Sequence, residues 1–132
     1  MSKIFNPKIF LSTNSHRILV GKNSKENSYI THALAAESDI FFHVADFPGA
    51  HVVLQGLLPK PEDITDAAHL AVHFSQARRN RVKVDYTEIK YASRPKGSSS
   101  GLIELSKYKS LMIERDQKRI DSLLNKTLDP KK

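Results

Sequence analysis

The chain of 132 residues contains neither cysteine nor tryptophan. Without thiols it cannot form disulfide bonds, thiolate zinc sites, iron–sulfur clusters or a cysteine nucleophile. Its uncharged apolar runs are only a few residues long, which is too short for a transmembrane helix, and its first residues lack the continuous apolar core of a secretory signal. We therefore expect a cytoplasmic protein that does not bind a membrane.

Negative charge is also scarce. The chain has 14 Asp and Glu against 21 Lys and Arg, which gives a formal net charge of +7 at pH 7 and a pI of about 9.7. Such an excess favours a polyanionic partner, which can be RNA, DNA or an acidic protein. A hydrophobic content of 39% is too high for a disordered chain, and the length favours one domain.

Apolar periodicity predicts a mixture of strands and helices. Strands are expected on both sides of a turn within residues 8–20, then at 39–46, 51–55, 81–92, 102–105 and 111–113, and helices at 25–37, 62–79 and 115–128. A bend is expected in the fifth of these strands near Thr87 and Glu88. The predicted class is α+β, with one domain over residues 1–132 (core about 10–114), a mostly antiparallel sheet, a long helix packed on one face and a C-terminal helix capped by Asp116.

The helix predicted at 62–79 has one broad apolar arc. Ala67, Ala68 and Ala71 lie on that arc, and their small size predicts close approach to the sheet. Asp66, His69, His73 and Gln76 lie on the opposite arc.

Little in the sequence indicates catalysis. His69 and His73 are four residues apart, a spacing that can chelate a metal, but the segment HLAVH lacks the glutamate of HExxH, and no particular Asp or Glu is fixed as a third ligand. The motifs GxSxG, SxxK, GxGxxG and GxxxxGK[ST] are all absent. We expect no catalytic residue, no metal and no cofactor.

Two short segments could contact nucleic acid. Gly21-Lys22-Asn23-Ser24 lies between a predicted strand and a predicted helix, where backbone N–H groups and one lysine can hold a phosphate. The alternative is an ordinary turn with Ser24 as N-cap. His43 and His51 flank the Pro48-Gly49 turn and could meet on adjacent strands, either to hydrogen bond or stack with RNA or only to satisfy hydrogen bonds at a strand end.

A basic strip occupies residues 76–97, with seven Lys and Arg against two Asp and Glu. Tyr86 and Tyr91 are interleaved with these cations and could stack on bases. The alternative is a solvated strand face whose charge only promotes solubility.

Taken in order, the segments ILVGKNSKENSYIT, DIFFHVADFPGAHVVL, DAAHLAVHFSQAR and VKVDYTEIKYASRPKG resemble the NFACT-R domain, the RNA-binding module of the NFACT proteins. The resemblance covers residues 10–114. The resemblance implies that the sequence pattern of the family includes the candidate binding residues given below. It also implies that the pattern includes nine further positions: Gly21, Asp39, Gly49, Ala67, Ala68, Ala71, Ser75, Tyr86 and Gly101. Many relatives have proline where this chain has Ser100, so we expect greater mobility in the loop at 97–101.

The resemblance implies a non-catalytic RNA-binding module. NFACT proteins act on stalled large ribosomal subunits, so the implied partner is tRNA or rRNA, with the large subunit itself as a further partner. The chain is similar to a stand-alone form of the domain. Two alternative functions stay open: a subunit of an RNA-modification system, whose partner would be the modifying enzyme, and a DNA-binding module. The candidate nucleic-acid-binding residues are Lys22, Asn23, Asn27, His43, His51, Arg78, Arg79, Lys83, Lys90, Arg94 and Lys96.

Overall fold

The structure is a computed structural model, and it describes residues 5–97 and 103–128. Its strands are β1 (Lys8–Leu11), β2 (Arg17–Val20), β3 (Ile40–Val44), β4 (Val52–Leu54), β5 (Arg81–Glu88), β6 (Ala92–Ser93), β7 (Glu104–Leu105) and β8 (Lys109–Glu114). Its α-helices are α1 (Ser24–Tyr29), α2 (Pro61–His73) and α3 (Gln117–Leu124), with a π-helical turn at Ile30–Leu34 and a 3₁₀ turn at Ile89–Tyr91.

Six strands form one antiparallel sheet in the order β1-β2-β4-β3-β5-β8, and β6 pairs separately with β7. The predicted α+β class with a mostly antiparallel sheet is confirmed. The expected bend in the fifth strand is also confirmed, because β5 ends at Glu88 and the chain enters the 3₁₀ turn.

Both faces of the sheet are packed. On one face, the arc of Ala67, Ala68 and Ala71 on α2 is buried against apolar side chains of the six strands of the main sheet. On the other face, Leu19, Phe41 and Val53 form a second, smaller core under the π-helical turn and the β6–β7 region. The predicted close contact between the alanine arc and the sheet is confirmed.

Two polar residues of the opposite arc of α2, Asp66 and His69, are buried as well, which the amphipathic pattern did not indicate. Asp66 accepts hydrogen bonds from the backbone and hydroxyl groups of Thr13 at 2.7 Å and pairs with Arg119 of α3. His69 contacts the carbonyl oxygens of Thr65 and Glu114 through its two ring nitrogens. The β1–β2 turn and α3 thus cover the helix from outside.

Three predicted boundaries were wrong. The first helix ends at Tyr29 and continues only as the π-helical turn. Its N-cap is Asn23 and not Ser24, because the Asn23 side chain accepts a hydrogen bond from the N–H of Glu26. The long helix ends at His73 and not at residue 79. The C-terminal helix covers only 117–124, although its expected cap, Asp116, is confirmed; residues 126–128 run beside β1.

The longest helix in the described ranges is α2, with 13 residues, whereas about 20 are needed to cross a bilayer. Within these ranges no helix is both long and apolar enough to span a membrane. Leu102 and the part of the 97–101 loop from Ser98 onward lie outside the described residues.

Candidate nucleic-acid interface

A broad concavity lies where the β3–β4 turn meets the start of α1 and the end of α2. We call it the central cleft; its volume is about 670 Å³, and it is lined by residues 21–24, Asn27, His43, residues 48–51 and residues 74–76. Five of the eleven candidate residues line this cleft: Lys22, Asn23, Asn27, His43 and His51. The GKN segment and the histidine pair, singled out separately in the sequence, therefore share one site.

The floor of the cleft depends on close backbone approach at Gly21. The Gly21 N–H donates to the carbonyl oxygen of His51 at 3.1 Å, and Asn27 Oδ1 accepts the N–H of His51 at 3.1 Å. A Cβ atom on Gly21 would lie 2.1 Å from Asn27 Oδ1. Only glycine permits this packing of β2 against α1.

The opposite wall joins the β3–β4 turn to the segment after α2. Ala50 N–H donates to the carbonyl of Phe74 at 3.1 Å, and Gln76 N–H donates to the carbonyl of Pro48 at 2.9 Å. Gly49 fits here because an added Cβ would lie 2.9 Å from Cβ of Ser75. These bonds explain why α2 ends early: the backbone beyond His73 pairs with the turn instead of continuing the helix.

His43 and His51 are neighbours, as expected, with ring centroids 5.7 Å apart in an edge-on arrangement. His43 is half-buried, and its Nδ1 lies 2.6 Å from the carbonyl oxygen of Val44. Because a carbonyl only accepts, Nδ1 carries the proton and Nε2 is the ring atom left for other contacts. His51 is only 2% exposed and contacts the Thr31 hydroxyl at 3.0 Å, so its ring cannot stack on a base as the sequence analysis suggested.

The lysine of the GKN segment already faces an anion within the chain. Lys22 Nζ lies 3.6 Å from a carboxylate oxygen of Glu26, and the other oxygen accepts the backbone N–H of Lys22 at 3.0 Å. Glu26 is 5% exposed, whereas the Lys22 side chain is 45% exposed. The carboxylate thus neutralises part of the charge at the start of α1, and a phosphate bound there would compete with it.

The basic strip extends along β5 and beyond it. At 3.3 Å per residue, β5 separates Arg81 from Glu88 by about 23 Å. The cations at its two ends pair with different acids: Arg81 with Glu114 at 3.8 Å and Lys90 with Glu88 at 3.6 Å. The role of the strip in RNA binding stays a prediction.

The remaining candidates fall into two groups. Arg78 lies at the edge of the cleft, where it donates to the carbonyl of Ser75 at 3.2 Å; Arg79 lies over the Phe47 ring at 5.7 Å; and Arg94 donates to the Ser28 hydroxyl of α1. Lys83, Lys90 and Lys96 are exposed but do not line the cleft.

A second concavity continues from the first. This sheet groove has a volume of about 610 Å³ and shares His43, Pro48 and His51 with the central cleft. It crosses the sheet face that carries Phe41 and Asp85 and reaches Tyr108. The two concavities therefore adjoin at the three shared residues.

The histidines of α2 do not form a metal centre with the residues described. Both ring nitrogens of His69 already contact backbone carbonyls. No group of three or more His, Asp and Glu side chains in residues 5–97 and 103–128 is arranged to hold a metal ion.

Sequence comparisons identify the family. Residues 8–115 match the family model described as NFACT protein RNA binding domain. The chain is 37% identical over 117 residues to the Rqc2 homolog RqcH of Bacillus subtilis and 39% identical over 108 residues to that of Streptococcus pneumoniae. These alignments cover 86% and 80% of this chain but only 20% of each relative.

A solved structure has the same fold. The C-terminal part of the fibronectin/fibrinogen-binding protein from Streptococcus suis superposes with a TM-score of 0.85 at 37% identity, over 92% of this chain and 50% of that one. The match of the family model to most of the chain, together with this fold, shows that the protein belongs to the family of NFACT RNA-binding domains.

Proposed function

We propose that this chain is a non-catalytic RNA-binding module that holds RNA in the central cleft. The observation that carries the proposal is the convergence of Lys22, Asn23 and His43 on one concavity in a chain of the RNA-binding family. A lysine, an amide and an imidazole supply contacts for phosphate and for base edges.

The neighbouring cations extend this surface. Arg78 at the edge of the cleft and Arg94 beside α1 flank it from two sides, and both are exposed. Guanidinium groups suit phosphate because they offer several donors in a fixed plane. We expect Lys83, Lys90 and Lys96, which lie off the cleft, to contribute mainly long-range attraction.

We further propose that the RNA is tRNA or rRNA of the large ribosomal subunit and that the module serves ribosome-associated quality control. The relatives named as Rqc2 homologs support this role, although the chain spans only about a fifth of their length. The competing roles are a subunit of an RNA-modification system and a DNA-binding module.

Fluorescence anisotropy with a tRNA, an rRNA fragment and a DNA duplex of equal length tests the proposal. With about four to six phosphate contacts, log affinity for RNA should fall against log salt with a slope of about −3 to −5. Equal affinity for the DNA duplex would favour the DNA-binding role, and affinity that does not respond to salt would contradict backbone binding. Sequencing of RNA cross-linked to the protein in cells separates the remaining roles: tRNA or rRNA supports quality control, whereas enrichment around modified nucleotides supports the modification role.

A further inference from the structure

A third concavity lies at the opposite end of β3 from the central cleft. We call it the tyrosine pocket; its volume is about 290 Å³, and it is lined by Ile40, Tyr86, Thr87, Glu88, Tyr91, Lys107, Tyr108 and Lys109. That volume is near the lower end of the usual range for small-molecule pockets, which begins at about 300 Å³. Three phenol rings and two lysines in so small a space favour a planar ligand that carries negative charge.

The rings differ in how firmly they are held. Tyr86 stacks on Phe42 with centroids 5.7 Å apart and an interplanar angle of 13°. Tyr91 has two ammonium groups over its ring, Lys90 Nζ at 5.4 Å and Lys107 Nζ at 5.2 Å. Tyr108 is 52% exposed. The pocket therefore has fixed aromatic walls and one accessible ring at its mouth.

The polar groups suit a nucleotide. Lys107 and Lys109 lie at the pocket and can face a phosphate, while the Glu88 carboxylate can accept hydrogen bonds from the amino or imino groups of a base. Glu88 is held by Lys90 at 3.6 Å, and both side chains remain partly exposed. A base between aromatic rings with a lysine beside its phosphate is a common arrangement in single-strand binding.

The tyrosine pocket adjoins the sheet groove at one residue. Tyr108 lines both this pocket and the sheet groove, and the sheet groove shares His43 and His51 with the central cleft. Ile40 and Val44, at the two ends of β3, are about 13 Å apart at 3.3 Å per residue. Ile40 and Tyr86 point to the α2 face of the sheet, whereas Phe41, His43 and Asp85 of the sheet groove point to the opposite face. An RNA strand held at the central cleft therefore reaches the pocket by passing Tyr108, which lines both the groove and the pocket.

We propose that the tyrosine pocket receives one unpaired base of the bound RNA, so that the domain prefers RNA with a single-stranded loop or end to a continuous duplex. This inference rests on the proposed RNA-binding function and adds a second site to it. A duplex hides its bases in the stack, so it can use the lysines of the pocket but not the rings.

The test compares binding of an RNA hairpin with binding of a blunt duplex that has the same stem sequence. A 2-aminopurine base in the hairpin loop loses fluorescence when it stacks on a ring of the protein. The full chain is compared with Tyr108→Leu, which keeps an apolar side chain without a ring, and with the matched control Tyr108→Phe, which keeps the ring. We expect Tyr108→Leu to weaken hairpin binding by about fivefold or more and to restore the fluorescence. Binding of the duplex should not change, and Tyr108→Phe should behave like the wild type.

The other outcomes separate this proposal from the proposed function. If the wild type binds hairpin and duplex equally and Tyr108→Leu changes neither, the pocket does not receive a base although RNA binding stands. If Lys22→Ala lowers the affinity for both hairpin and duplex, and Tyr108→Leu lowers the two affinities by the same factor, the Tyr108 ring does not contact an unpaired base. The inference is then overturned. If the wild type binds neither RNA, both proposals fail, and the pocket must then be considered as a site for a protein.

Discussion

The side-chain oxygen of Asn27 accepts the backbone N–H of His51 at 3.1 Å, and both residues are buried. This bond joins α1 to the start of β4. Because the Gly21 N–H donates to the carbonyl of the same histidine, the residues that form the floor of the central cleft are one connected unit.

The first prediction concerns that unit. Asn27→Ala leaves the buried N–H of His51 without its acceptor, which should lower the free energy of unfolding by about 1–3 kcal/mol. Urea unfolding followed by circular dichroism measures the change. Ser122→Ala, an exposed change on α3, is the control and should have almost no effect. A stability loss no larger than that of the control would contradict the role given to Asn27.

The second prediction concerns Glu26. Glu26→Gln removes the charge that faces Lys22 but keeps an oxygen that can accept the Lys22 N–H. Because an RNA phosphate would no longer compete with the carboxylate, affinity for RNA should increase by about 0.5–1 kcal/mol, the upper part of the range for ion pairs with one solvent-exposed partner. Anisotropy titrations at low salt measure it.

Glu62→Gln is the matched control, since Glu62 is exposed in the first turn of α2 and does not line the cleft. If both variants gain the same affinity, only net charge matters and the Lys22–Glu26 competition is absent.

The third prediction concerns acid stability through Asp63. Burial alone would raise the pKa of this carboxyl, but hydrogen bonds donated by the Ser12 hydroxyl and by the backbone of Lys60 and Asn14 outweigh it and hold the pKa below its usual value. A carboxyl with a depressed pKa stabilises the fold above the pKa of the unfolded chain, and this contribution is lost as the pH falls through the folded pKa.

We therefore expect the wild type to lose stability as the pH falls below about 4. Asp63→Asn should be less stable than the wild type at pH 7 by about 1–3 kcal/mol, and its difference from the wild type should shrink in acid. Urea unfolding between pH 7 and pH 3 measures both. A difference that stays constant over this range would show that the ionised carboxylate is not what stabilises the start of α2.

Local patterns in the sequence predicted the elements and one part of the site. The alanine arc of α2, the bend after Glu88 and the proximity of His43 to His51 all follow from short-range spacing. In each case the neighbours along the chain, or across one turn, determine the geometry.

Features that depend on distant contacts were not predictable. The end of α2 depends on Pro48, some 25 residues earlier, whose carbonyl accepts the N–H of Gln76. Asp66 lies on the polar arc of an amphipathic pattern but is buried because Thr13 and Arg119, each 53 residues away, supply its partners. The Gly49–Ser75 contact likewise leaves no local pattern that would reveal it.

The charge pattern alone does not identify the cleft. The cations of residues 76–97 follow the chain along β5 and around the 3₁₀ turn, and Lys83, Lys90 and Lys96 do not line the cleft. Lys22, by contrast, looks isolated in the sequence but lies in the cleft, where folding brings it to the histidines.

The most direct test of the central cleft is an NMR titration of the ¹⁵N-labelled chain with a tRNA stem-loop and with an rRNA fragment. The account predicts that amide shifts concentrate at residues 21–24 and 49–51 and at Gln76, with little change along α3. It also predicts that Lys22→Ala lowers the affinity for RNA far more than Lys118→Ala on the exposed surface of α3. Shifts spread evenly over the exposed lysines, with equal effects of the two substitutions, would contradict it and show that the RNA is held by net charge alone.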